Sequence, residues 1–215
     1  TVVITGEKRY TEAEIREVSG VKDGDNLFLL NKYQVIRNIA EALPYVELEE
    51  TRVQRKLPDT LLIEIKECGD PLAWAQDGTV WLVSPGGKIV EQRNTVGDYP
   101  TIDGCRLLAP SVGTLIALDT ENDTRWQSLL ELLAALEAAD KLGEVDAIHI
   151  GNAAYLTMDY MGRFSVELNY DADFAYKLRT LDAILASGKI QENMTGTFNM
   201  RGEDGKTNFI QNSVK

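Results

Sequence analysis

Residues 57–67 constrain this chain more than any other segment, because they predict a tight corner followed by a β-strand. Pro58 disfavours helical backbone at the residue before it and cannot donate to a strand ladder. Beyond the corner, Leu61, Ile63 and Ile65 fall on one face, and the polar residues Thr60, Glu64 and Lys66 fall on the other, which is typical of a strand with one buried face. A second alternating segment lies immediately upstream, so two strands are predicted to meet at Pro58.

The first third of the chain carries the signals of two helices enclosed by strands. Residues 2–4 are apolar and predict an opening strand. Thr11 and Glu14 fit a capping box for a first helix, and Asn31 fits the cap of a second. With strands predicted at 45–56 and 60–67, two helices would cover one face of a three-stranded sheet, since three strands alone cannot bury their apolar side.

Periodicity gives two further expectations for this region. The second helix is expected to bury a stripe at helical spacing, made of Tyr33, Ile36, Ala40 and Leu43. In the strand that follows, Val46 and Leu48 are out of phase with Val53. A β-bulge is therefore predicted between them, because one extra residue reverses which face is buried.

A domain boundary is predicted near Gly69 and Pro71, whose residue types favour a hinge. Beyond it, Asp77 and Gly78 form a strong type I′ turn signal between two apolar segments. An amphipathic helix is expected over residues 124–139, with a buried stripe of Trp126, Leu129, Leu130, Leu133 and Leu136.

The last third of the chain predicts two strands, a helix and a closing hairpin. The strands cover residues 155–160 and 164–168. The helix begins after Asp171 or Asp173 and stops at Gly188. Residues 194–200 and 206–211 then form a hairpin, whose second strand would offer unpaired backbone groups if it lies at a sheet edge.

Composition excludes several classes of function. The net charge of −12 argues against nucleic acid as a partner and against docking to anionic lipid through charge. No apolar run is long enough to span a membrane. Because the chain starts at Thr1 with strand-like residues, we expect it to be excised from a longer protein.

No residue pattern points to catalysis. Acidic residues are plentiful, but nothing selects the two carboxylates that a glycosidase needs. His149 lies in a short predicted strand without a nucleophile motif, which favours a structural role. Cys68 and Cys105 are expected to be buried free thiols, although a single bridge between them stays open. Trp74 and Trp81 on adjacent strands could stack on a sugar, but cross-strand packing is commoner.

The chain resembles the FtsQ/DivIB family of bacterial cell-division proteins, most specifically at the Pro58 corner and strand. Further matches cover residues 22–30, 43–46, 99–104, 162–166 and 177–178. The chain departs from the family pattern by about two extra residues within 47–50. It departs again at Cys68, Gly69, Tyr99 and Gly202.

The resemblance implies an α+β fold in two domains. Residues 1–68 would be a POTRA domain of order β-α-α-β-β, and residues 69–211 a mixed-sheet β domain with two packed helices. Residues 212–215 would be a C-terminal tail. The family implies no cofactor, no metal and no enzymatic activity. It also implies one membrane-spanning helix upstream of Thr1, with this region on the extracytoplasmic side at the division septum.

The resemblance further implies a scaffold that binds FtsB/DivIC-like and FtsL-like division proteins by strand addition at the last β-strand. The matching segment is residues 198–210. Its candidate contact residues are Phe198, Met200, Arg201, Lys206, Thr207, Asn208, Phe209 and Ile210.

Two other classes of function stay open. A POTRA-bearing module of a protein transport or insertion system would carry tandem POTRA repeats or a barrel-forming segment. A cell-wall carbohydrate-binding or hydrolytic ectodomain would depend on Trp74 and Trp81.

Overall fold

The computed structural model describes residues 1–6, 9–119, 123–202 and 207–212. The chain divides into two compact units, Thr1–Gly69 and Asp70–Lys215. Each unit has its own hydrophobic core. Cys68 and Cys105 are both half-buried, and no disulfide joins them.

The first unit has the predicted order of strand, helix, helix, strand, strand. Its elements are β1 (Val2–Thr5), α1 (Glu12–Ser19), α2 (Lys32–Ala42), β2 (Arg52–Lys56) and β3 (Thr60–Glu64). β3 lies in the middle of the sheet, parallel to β1 and antiparallel to β2. The β2–β3 hairpin turns at Pro58, as the sequence predicts.

Local chemistry sets the ends of both helices. The Thr11 hydroxyl accepts from the Glu14 amide, and the Glu14 carboxylate accepts from the Thr11 amide, which completes the capping box. Gly20 closes α1 in the left-handed conformation with φ 71°. The Asn31 side chain accepts from the amides of Tyr33 and Gln34 at the start of α2.

One prediction for this unit is wrong, and another holds only in part. Residues 45–56 do not form one bulged strand: Val46 makes a single bridge to Glu67, a turn follows, and β2 begins only at Arg52. In that turn the Thr51 amide donates to the Glu47 carbonyl at 3.1 Å. The turn absorbs the change of phase that the sequence analysis assigned to a bulge.

The buried stripe of α2 matches the predicted one in part. Ala40 and Leu43 are buried and Ile36 packs against the core. Tyr33 is exposed, and Val35 and Ile39 complete the buried face in its place. Both stripes are spaced by three or four residues, so periodicity alone cannot choose between them.

The second unit contains one large mixed sheet and two α-helices among its described residues. The strands are β4 (Leu72–Gln76), β5 (Thr79–Val83), β6 (Ile89–Arg93), β7 (Thr101–Asp103), β8 (Val145–His149), β9 (Tyr155–Tyr160), β10 (Phe164–Asn169), β11 (Gly196–Asn199) and β12 (Asn208–Gln211). The helices are α3 (Asp123–Ala138) and α4 (Phe174–Ala186), with a 3-10 turn at Leu142–Glu144. The strand order is β12-β11-β10-β9-β8-β7-β4-β5-β6.

The α+β class predicted from the sequence is therefore confirmed. Asp77 and Gly78 turn between β4 and β5 with φ of 52° and 76°, as a type I′ turn requires. α3 and α4 pack against each other, and their apolar side chains join alternate residues of the strands in the core. On β9 and β10 the buried positions alternate strictly with partly exposed ones, so these strands have one core face and one open face.

Candidate functional site: the edge strand of the large sheet

β12 lies at one end of the large sheet. It pairs antiparallel with β11, with Phe198 opposite Phe209 and Thr197 opposite Ile210. β11 in turn pairs parallel with β10. Within residues 1–6, 9–119, 123–202 and 207–212, no strand pairs with the other side of β12.

The phase of the β11–β12 ladder identifies the outward-facing backbone groups. The Asn212 amide donates to the Thr195 carbonyl at 2.9 Å, so these two residues form a hydrogen-bonded pair. Hydrogen-bonded and non-hydrogen-bonded pairs alternate in an antiparallel ladder. Ile210 therefore directs its N–H and C=O towards β11, while Phe209 and Gln211 direct theirs away from the sheet.

The side chains of β12 divide between the two faces. Phe209 packs towards the core, where its ring centroid lies 4.7 Å from that of Phe198 and 6.2 Å from that of Phe164. Ile210 belongs to the open face, and its side chain is 61% exposed. An exposed aliphatic side chain on an edge strand is what strand-adding partners use for specificity.

Gly196 permits the close approach of β12 to β11. A Cβ on Gly196 would lie 2.3 Å from the Ile210 carbonyl oxygen and 2.8 Å from the ring of Phe209. Both distances are shorter than side chains tolerate, so this position of β11 requires glycine.

Charged side chains hold the segment after β11. Lys177 on α4 is a buried residue, and its ammonium group donates to the Gly202 carbonyl at 2.7 Å. The Arg201 guanidinium lies 4.4 Å above the Tyr155 ring, and its Nε is 3.6 Å from a Glu167 oxygen. These contacts fix the end of β11, which places the base of the hairpin.

The structure separates the candidate contact residues into two groups. Phe198 and Met200 are buried in the core, so they support the hairpin from beneath and present no surface. Exposed or half-buried side chains belong to Arg201, Thr207, Asn208, Phe209 and Ile210. Lys206 lies outside the described residues.

A charged cluster that the sequence analysis did not anticipate surrounds His149. The His149 Nδ1 lies 3.0 Å from both carboxylate oxygens of Asp103, and the His149 Nε2 lies 3.2 Å from Asp159 Oδ2. A neutral imidazole carries one N–H, so only the protonated ring donates to both carboxylates. Because the carboxylates lie at opposite ring nitrogens, the three groups do not converge on a point that a metal ion could occupy.

The His149 cluster predicts a pH dependence of stability. Burial alone would lower the pKa of His149, but the hydrogen bonds to Asp103 and Asp159 raise it above the ordinary value. The stabilisation is then complete below the unfolded pKa and is lost as the pH rises through the folded pKa. For a partly exposed ring we expect the free energy of unfolding to fall by less than about 1 kcal/mol between about pH 6 and about pH 8.

Urea denaturation across that pH range measures the effect. His149 is the chain's single histidine, so the His149→Gln variant should lose most of the slope. An equal slope in the variant and the wild type would contradict the assignment.

The two tryptophans of the first hairpin do not form a sugar platform. Trp74 and Trp81 are directly paired across β4 and β5, as predicted, but Trp74 is almost completely buried. Trp81 packs against the same core. A stacking surface would need both rings exposed, so the pair contributes to packing.

Comparison with known proteins identifies the N-terminal domain and similar proteins along the chain. Residues 1–67 match the family described as POTRA domain, FtsQ-type. The chain is 22% identical to the cell division protein DivIB of Clostridium botulinum strain Hall over 213 aligned residues. This alignment covers 98% of this chain and 81% of that protein. It is 22% identical to DivIB of Clostridium tetani, over 98% of this chain and 78% of that protein.

A third relative is the cell division protein FtsQ of Corynebacterium glutamicum, which is 27% identical over 146 aligned residues. This alignment covers 66% of this chain and 64% of that protein. Within the described residues, no helix is both long enough and apolar enough to cross a bilayer. The first 67 residues therefore form an FtsQ-type POTRA domain, and along almost its whole length the chain is similar to the bacterial cell-division proteins DivIB and FtsQ.

Proposed function

We propose that this chain is a non-enzymatic scaffold of bacterial cell division that holds partner proteins at the septum. Its partners are FtsB/DivIC-like and FtsL-like division proteins, which bind by adding a strand to β12. Residues 1–68 are the POTRA domain, and residues 69–211 are the partner-binding β domain. A membrane-spanning helix upstream of Thr1 anchors both domains on the extracytoplasmic side of the cell membrane.

One observation carries the proposal: β12 has a paired side and a side that meets no strand in the described residues. The backbone groups of Phe209 and Gln211 point to that second side. An incoming strand would bond to these groups and gain main-chain hydrogen bonds without any rearrangement of β11.

The side chains beside this edge suit an amphipathic partner strand. Its residues on the open face would pack against Ile210, and its residues on the opposite face would meet the rim of the core beside Phe209. Fixed backbone groups supply affinity, and the alternating side chains supply specificity.

Replacing Ile210 with lysine tests the proposal. The Ile210→Lys variant should bind the extracytoplasmic segments of the DivIC-like and FtsL-like proteins of the same bacterium about tenfold more weakly, because a charged side chain replaces an apolar contact. Isothermal titration calorimetry measures the affinity, and circular dichroism checks that the fold is kept.

Leu115→Lys is the matched control. Leu115 is also an exposed aliphatic residue of the second unit, but its backbone pairs with Lys88 beside β6, at the far end of the sheet. The Leu115→Lys variant should bind the same partners with the affinity of the wild type. Unchanged binding by a folded Ile210→Lys variant, or equal loss in both variants, would overturn strand addition at β12.

A further inference from the structure

The connection between α1 and α2 exposes large apolar side chains that the fold does not use. Phe28 is 73% exposed, Leu29 is 83% exposed, and Tyr33 at the start of α2 is 85% exposed. Their neighbours Leu27 and Leu30 pack against the core of the first unit. The connection is therefore already anchored from within, and Phe28 and Leu29 add exposed apolar surface beyond what its packing needs.

A fourth exposed apolar residue lies close to this connection. Leu57, at the β2–β3 turn, is 66% exposed. Two residues earlier on β2, the Arg55 guanidinium donates to the Leu30 carbonyl at 2.6 Å. This bond joins the connection to the C-terminal end of β2, so Phe28, Leu29, Tyr33 and Leu57 all lie at the same end of the first unit, which we call the apolar end.

The first residue of the chain, Thr1, lies at the same end of the first unit. The Thr1 amino group donates to the Asp59 carbonyl at 2.9 Å, which places it beside the β2–β3 turn. The Val2 amide donates to Asp23 Oδ1 at 2.9 Å, which places it beside the α1–α2 connection. Thr1 is thus bordered by both segments that carry the apolar end.

The acidic groups of this connection are bonded within the unit. Asp23 accepts from the Val2 amide and pairs with Arg16 at 3.2 Å, and Asp25 accepts from the Lys22 amide at 2.8 Å. Exposed lysines flank the apolar side chains at Lys22 and Lys56. Apolar and aromatic residues bordered by lysines are characteristic of surfaces that sit at the membrane–water interface.

We propose that the apolar end of the first unit inserts into the interfacial layer of the bilayer that holds the chain. The inference rests on the proposed anchor upstream of Thr1. Four side chains insert only weakly, so they need an anchor that keeps the domain beside the bilayer and raises the effective concentration of the membrane surface. Insertion would bury Phe28 and Leu29 among headgroups and upper acyl chains, and the hydroxyl of Tyr33 would stay in water. The contact would fix the orientation of the POTRA domain on the membrane.

A tethered vesicle assay tests this inference. The chain carries an N-terminal hexahistidine tag and is held on phosphatidylcholine vesicles that contain a nickel-chelating lipid, so the tether replaces the proposed anchor. Phe28→Trp introduces a fluorescent reporter with little change in character, and brominated phosphatidylcholine quenches tryptophan that enters the bilayer. The native tryptophans all lie after residue 70, and the wild-type signal is subtracted.

Leu48→Trp is the matched control, because Leu48 is an exposed leucine of the same unit that precedes the opposite end of β2. We expect quenching at position 28 to exceed quenching at position 48 at least about threefold. Leu29→Trp repeats the measurement if Phe28→Trp lowers the melting temperature.

Equal quenching at positions 28 and 48, or none at 28 and 29, would overturn the inference. If Phe28→Ser and Leu29→Ser weaken binding of a division protein while the tryptophan reporters stay unquenched, the apolar end contacts protein and the bilayer proposal is wrong. The vesicle assay does not depend on partner binding at β12. A negative result in this assay would therefore overturn the bilayer inference without bearing on the scaffold proposal.

Discussion

We expect the Gly196→Ala variant to lose the pairing of β12 with β11 and, with it, the binding of division partners. The added methyl group would lie 2.3 Å from the Ile210 carbonyl oxygen, and backbone cannot move aside as a flexible side chain can. Such overpacking costs typically about 1–3 kcal/mol. β12 has four residues and pairs with β11 alone among the described strands, so it would detach before the rest of the sheet deforms.

Hydrogen exchange and partner titration measure this result together. The amides of residues 208 and 210 should lose protection, those of β9 and β10 should keep it, and partner affinity should fall about a hundredfold. Gly143→Ala is the control, since a Cβ there meets no atom within 4 Å. If the β12 amides of the Gly196→Ala variant exchanged as slowly as those of the wild type, the hairpin would tolerate the added methyl group and the prediction would be wrong.

The elements that the sequence predicted well are those fixed by near neighbours. The Thr11 capping box and the turn at Asp77 and Gly78 each depend on residues within four positions. The same is true of the α4 cap at Asp173, one of the two caps predicted. Their backbone conformations follow from side-chain hydrogen bonds and from glycine's tolerance of positive φ. No tertiary contact is needed to specify them.

The predictions that failed required knowledge of packing. Tyr33 and Val35 both fit helical periodicity, and only the position of the sheet beneath α2 decides that Val35 is buried. Likewise, the change of phase between Val46 and Val53 is compatible with a bulge or with a turn. The bridge from Val46 to Glu67 selects the turn.

The candidate site was predictable as a hairpin but not residue by residue. Phe198, Met200 and Phe209 are apolar whether they face a core or a partner, so the sequence could not separate the buried pair from the surface. The phase of the β11–β12 ladder also depends on the contact between Asn212 and Thr195, which no local pattern encodes.

We expect a proline at position 211 to weaken strand addition strongly while it leaves the hairpin intact. Gln211 directs its N–H away from β11, so Gln211→Pro removes a donor that the wild-type hairpin does not use. A partner strand would lose one main-chain hydrogen bond, leave its own carbonyl unpaired and meet the proline ring. Together these effects should weaken binding by about 2–3 kcal/mol, or about 30-fold to 150-fold.

Two further variants separate the backbone from the side chain in this prediction. Gln211→Ala keeps the outward N–H and should bind partners as the wild type does, because only the side chain is lost. Ile210→Pro removes an N–H that faces β11, so it should lose hairpin protection as well as binding. Normal affinity in a folded Gln211→Pro variant would mean that partners do not bond to the outer edge of β12, and the scaffold would need a different docking surface.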